Sequence, residues 1–173
     1  NVPTVSIAGD IALGRANLTL ASGEVTANRL VTTAQSPDYG ALAITGGTLR
    51  LTNGIDSSIN GPVAFGMNLS GGALYTPSIR VADWEQPNFG INAWSVLDGT
   101  VIHPTANSSN FITFYGTGQN IFLGNHSSAA SFSTDGFDIT VGANLLASGT
   151  GGLSKQGEGT LTLSGRNTYS GTT

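Results

Sequence analysis

Short apolar alternations, broken every few residues by small and polar side chains, run the length of the chain. Leu18/Leu20, Leu42/Ile44, Leu49/Leu51 and Leu161/Leu163 each set one apolar residue two positions after another. A period of two turns one side of an extended strand inward and the other toward water. Between these pairs stand Gly, Pro and the Asn-Gly turns Asn53-Gly54 and Asn60-Gly61, which end strands. The pattern predicts many short strands and no helix.

The pattern also repeats. Leu20-Ala-Ser-Gly-Glu-Val25, Ile44-Thr-Gly-Gly-Thr-Leu49, Leu69-Ser-Gly-Gly-Ala-Leu74 and Val96-Leu-Asp-Gly-Thr-Val101 share one frame, and Ile121-Phe-Leu-Gly124 is a weaker fifth copy. The aligned glycines Gly23, Gly47, Gly72 and Gly99 are 24, 25 and 27 residues apart. Pro37-Asp-Tyr-Gly40 returns as Pro87-Asn-Phe-Gly90, which marks a duplicated two-coil unit, 17–66 and 67–116. A step of this size is too long for a hairpin and short for a propeller blade of ~40 residues. It suits one turn of a solenoid with three strands and three corners, each strand pairing in parallel with its counterpart one coil away at roughly 4.8 Å. The expectation is an all-β, single-stranded parallel β-helix over 1–173, with about seven coils of three short strands each. A β-sandwich is the competing architecture, but a coil-length repeat has no role in it. Leu, Ile and Val would fill the interior, Phe65, Phe111, Phe114 and Phe132 its wider places, and the aligned glycines its corners. Arg15, Arg29, Arg50 and Arg80 fall near strand edges, where they would bond neighbouring turns or carboxylates.

Composition narrows the function classes. The 25 Gly, 21 Thr, 18 Ser and 14 Asn make 78 of 173 residues, a bias that disfavours helix. At 39% hydrophobic residues the chain still has enough apolar surface to fold. A net charge of −4 with six scattered cations gives no basic stripe for nucleic acid. No apolar run is long enough for a membrane helix, so insertion by this segment is not expected. With no cysteine there are no disulfides, thiolate zinc sites or Cys nucleophiles. A start at Asn1 rather than Met reads as processing or excision from a longer product.

The C-terminal stretch is more specific. Gly152-Leu-Ser-Lys155-Gln-Gly157-Glu-Gly159-Thr-Leu161-Thr-Leu163-Ser-Gly165-Arg-Asn167-Thr-Tyr169-Ser-Gly171-Thr-Thr173 resembles the autotransporter-associated β-strand repeat at every fixed position of that pattern. The resemblance covers 152–173, about one coil. It implies a right-handed parallel β-helix in a secreted bacterial protein, at the cell surface or outside it, with Gly157, Gly159, Gly165 and Gly171 as further turn glycines. In that family the repeat is linked to folding and transport of a passenger.

Candidate chemistry is sparse. Tyr39, Trp84, Phe89 and Trp94 cluster around the two related loops and would form a glycan-stacking or adhesive patch, or pack over the coil flank. Asp83 and Glu85 alternate beside Trp84 as a polysaccharide lyase or hydrolase would need, although exposed loop charges are the simpler reading. Asp135 and Asp138, across Gly136, suggest a capped turn more than a calcium loop, and neither a metal site nor a cofactor is expected. His103-Pro104 reads as a corner and His126 as surface. The sequons at Asn17, Asn68, Asn107 and Asn125 follow from composition and predict no glycans. The first expectation is a structural segment of an extracellular fibre, coat or adhesin, whose partners are neighbouring coils of a longer chain or copies joined end to end into filaments. Behind it stand a passenger adhesin binding a glycan or host protein, and then a carbohydrate-active enzyme.

Overall fold

The structure, a computed structural model, describes residues 3–14, 16–33, 39–57, 64–82, 95–115, 120–124 and 129–173. Every strand pair among them is parallel, and the partners lie one coil apart in the chain. This is a β-solenoid with three faces. The first face stacks Thr4–Ser6, Glu24–Ala27, residues 48–51 and 73–76, Val101–Pro104, Ala130–Ser133 and Leu153–Gln156. The second stacks Ile11–Leu13, Leu30–Thr32, Ile55–Asp56, Ile79–Ala82, Ser108–Tyr115, Ile139–Val141 and Leu161–Leu163. The third stacks Asn17–Leu20, residues 41–44 and 67–69, Ser95–Leu97, Asn120–Leu123 and Asn144–Ala147.

Two features depart from the expected three short strands per coil. Tyr39–Leu51 and Ala64–Thr76 are 13 residues long and run without a break from the third face around a corner onto the first. They join those two faces into one 11-stranded sheet, while the second face remains a separate 7-stranded sheet. The last coil, among the described residues, has strands on two faces only. On its third side Thr168 N–H donates to the Leu145 carbonyl at 2.9 Å, so backbone pairing continues there without a full strand. The stack is therefore slightly short of seven complete coils.

The interior is built from columns, because parallel in-register strands place like positions above one another. On the second face Ile11, Leu30, Ile55, Ile79, Ile112, Val141 and Leu163 form one unbroken aliphatic column. On the third, Leu20, Ile44, Leu69, Leu97, Leu123 and Ala147 form another. Leu30, Ile44, Leu69, Leu74, Ile79 and Leu123 are all wholly buried. Each such side chain contributes about 1.5–3 kcal/mol relative to exposure, and no single coil offers that burial alone. Phe65, Phe111 and Phe132 are fully buried with them, and Phe114 packs on the core half-buried.

Several polar groups enter the interior at corners, and Ser95 is buried within a strand beside Met67. Thr32 Oγ1 donates to the Ser57 carbonyl at 2.9 Å, Thr100 Oγ1 to that of Gly71 at 2.7 Å, and Thr134 Oγ1 to that of Gln156 at 3.1 Å. Each of these buried hydroxyls thus finds its acceptor on the backbone of a neighbouring coil.

The glycine frame slips once. Gly23, Gly47 and Gly72 stand two residues before Val25, Leu49 and Leu74, which are in register. Counting two from Gly99 reaches Val101, yet Val101 pairs with Ala73 and Ile102 with Leu74. The corner from Leu97 to Ile102 is as long as that from Leu69 to Leu74, but its glycine sits one position earlier. The glycine count therefore misplaces the strand by one residue and exchanges its two faces. His103 is consequently a strand residue facing outward, not the corner residue that His103-Pro104 suggested.

Candidate functional site

Next to each inward residue of the first face sits an outward one, and these also form a column. Thr26, Arg50, Tyr75 and His103 are in direct register. Arg50 Nε donates to Glu24 Oε1 at 2.6 Å, and its guanidinium lies 3.7 Å from the Tyr75 ring centre. Tyr75 stacks on His103 with centroids 4.2 Å apart and planes 8° from parallel. His103 Nδ1 is 2.6 Å from Asp135 Oδ2, and Ser133 Oγ donates to the other carboxylate oxygen at 2.5 Å. Five consecutive coils are thereby tied together on one outer face. Asp135 reaches this position from a turn in which it takes φ 51°, a left-handed conformation that Asp tolerates better than most residues.

The arrangement braces the stack and presents no reaction centre. Both faces of the Tyr75 ring are covered, one by Arg50 and the other by His103, so neither is available to stack on a sugar. Ser133 gives its hydroxyl proton to Asp135, not to His103, so these three groups do not form a base-activated nucleophile. An exposed cation–π contact is worth about 0.5–1 kcal/mol, an aromatic pair about 0.5–1.5 and a surface ion pair about 0–1. The brace is thus a sum of small terms.

The hydrogen bond from Ser133, and then that from His103, hold the Asp135 carboxyl below its ordinary range. A carboxyl depressed on folding adds stability above its unfolded pKa, and this is lost as pH falls through the folded value. Asp135→Asn should therefore melt below the parent near neutral pH, and the gap should narrow as the pH falls below the ordinary carboxylate range. A gap that stays constant across a pH series of thermal scans would remove Asp135 from the brace.

Amides and carboxylates tie the corners in a similar way. Asn28 donates to Asp10 Oδ1 at 2.6 Å and accepts from Asn53, and Arg29 pairs with Asp10 at 3.0 Å. Asn107 Oδ1 accepts from the Asp138 N–H at 2.9 Å, and Asp138 Oδ1 accepts from the Thr160 N–H at 2.8 Å. Asp138 thus serves as a cap from one coil to the next. Beside it, where the second face is bulged between Ser108 and Ile112, Asn107, Thr140 and Thr162 line an open groove of about 420 Å³. Among the described residues no three His, Cys, Asp or Glu side chains gather as a metal would require.

The aromatic patch expected from the sequence is not brought into view. Tyr39 opens the strand Tyr39–Leu51, opposite Ala64. Trp84, Phe89 and Trp94 lie outside the described residues, as do Asp83, Glu85, Arg15 and His126. Of the turn glycines, Gly23, Gly47, Gly72, Gly99, Gly157 and Gly159 have positive φ. Gly165 and Gly171 do not, and a side chain there would strike the Ala143 and Gly151 carbonyl oxygens.

The last coil decides the comparison with known proteins. Residues 153–173 match the Passenger-associated-transport-repeat family. The fixed positions of this repeat have physical roles in the stack. Leu161 and Leu163 pair with Ile139 and Val141 and extend the interior of the second face. Gly157 and Gly159 turn the corner with φ of 71° and 86°. Asn167 Oδ1 accepts from the Leu145 N–H at 3.0 Å, replacing a ladder bond. Tyr169 packs on the core and its hydroxyl meets Thr173 Oγ1 at 2.7 Å. The repeat thus forms a coil of the solenoid, stacked in register on the one before it. No curated protein and no solved structure matches the chain.

Proposed function

We propose that the chain is a structural segment of a secreted or surface-displayed passenger, a length of rigid β-solenoid whose work is architectural. One observation carries the reading: the passenger-associated transport repeat is built in register onto the same continuous columns as the coils before it. An enzyme concentrates polar groups in a cleft. Here the side-chain hydrogen bonds of Arg50, His103, Asn107 and Asn167 run from coil to coil. In a fibre, coat or adhesin such a segment would hold other parts away from the cell and resist proteolysis while doing so.

The test is display in the native host, with the full-length protein carrying an epitope in this segment. Protease shaving of intact cells should remove the epitope, and deleting 153–173 should reduce the displayed amount severalfold while leaving synthesis unchanged. An epitope protected until the cells are lysed would contradict the proposal.

A further inference from the structure

On the first face the interior column begins with Val5 and continues through Val25, Leu49, Leu74, Ile102 and Phe132, one residue from each coil in direct register. Its seventh member is Lys155, paired with Phe132. Strand alternation sets the direction of this side chain. Leu153, two residues earlier, is buried, while Ser154 and Gln156 continue the outward positions of Ser131 and Ser133. Lys155 therefore occupies an interior position, although it is exposed, since no coil covers it among the described residues. Its Nζ donates to the Gly157 carbonyl at 2.5 Å.

We infer that Lys155 selects what can continue the stack: the next coil must bring a carboxylate into register with it, and a second copy of this chain does not. An ammonium enclosed between apolar coils without a counter-charge is strongly unfavourable. Inward-pointing charges are one of the devices by which exposed strand edges avoid indiscriminate pairing. The geometry of the edge makes the selection concrete. Leu153 N–H already donates to the Thr172 carbonyl at 2.9 Å, which leaves 154–156 as the open part of the strand. The first strand of a second copy, Thr4–Ser6, would continue the column by setting Val5 against Lys155. Val5 is 53% exposed at the opposite end of the stack and has no acceptor to offer. On the second face the same junction would set Leu163 against Ile11, apolar on apolar, so that face would not oppose it. The discrimination falls on Lys155. This inference is independent of the export route, because it concerns only the edge.

Sedimentation equilibrium on the 173-residue chain tests it. The parent should keep the mass of one chain over about a hundredfold range of concentration. Val5→Glu places the missing carboxylate at an exposed edge position, and its weight-average mass should at least double at the upper end, falling back in high salt. Adding Lys155→Gln to Val5→Glu should restore the single-chain mass. Lys155→Leu should assemble without any acid, with circular dichroism confirming that each variant keeps its β-structure. A parent that assembles as readily as Lys155→Leu would overturn the inference, and so would a folded Val5→Glu chain that remains a monomer.

Discussion

Gly47→Ala should lower stability by about 3 kcal/mol, a large effect for the addition of one methyl group. Gly47 has φ +71°, where a residue with a Cβ loses about 1–2 kcal/mol. The new Cβ would also lie 2.6 Å from the Gly23 carbonyl oxygen and 2.8 Å from the Ser22 carbonyl carbon. Those atoms belong to the backbone of the preceding coil, and the Gly23 oxygen accepts the Thr48 N–H at 2.8 Å, so it cannot withdraw without breaking the ladder. Overpacking of this kind adds about 1–3 kcal/mol. Gly9→Ala is the control, since nothing lies within 4 Å of the place its new methyl group would take and its φ is not positive; it should stay within about 0.5 kcal/mol of the parent. Urea denaturation of the two variants separates the outcomes. Equal midpoints would mean that the corners do not approach as closely as described.

The second large effect is expected at Phe132. The ring is wholly buried between Ile102 and Lys155 in the interior column of the first face. Phe132→Ala should cost about 3–5 kcal/mol, while Phe132→Leu, which keeps most of the volume, should cost less than half of that. A solenoid is held together by nearest-neighbour interfaces, so the loss should be local. Hydrogen exchange should rise severalfold for the amides of Ile139–Val141 and Leu161–Leu163 and much less for Glu24–Ala27. Uniform acceleration along the chain would show that the coils unfold as a single unit.

The coil length is legible in the sequence because the corners demand glycine, and glycine can be counted. Gly23, Gly47 and Gly72 fall at one corner with φ of 82°, 71° and 68°. The same count fails at Gly99, which sits one position earlier in a corner of unchanged length, so that Ile102 takes the place expected of Val101. That slip also hides the outer brace. Arg50, Tyr75 and His103 each follow an inward residue, but they are 25 and 28 positions apart in the chain, and their contact depends entirely on the register. Thr32, Thr100 and Thr134 look in the sequence like any outward threonine, since a hydroxyl has no periodic signature that marks it for a buried corner. Lys155 is part of a recognisable motif, but its interior position follows only from its pairing with Phe132.

The claim beneath all of this is that strands one coil apart run parallel and in register. Backbone nuclear Overhauser contacts in the isotopically labelled protein test it most directly. The account predicts contacts linking Leu49 with Leu74, and Leu74 with Ile102, in the pattern of parallel strands. Close Hα–Hα contacts between successive strands of the chain, the mark of antiparallel hairpins, would contradict it.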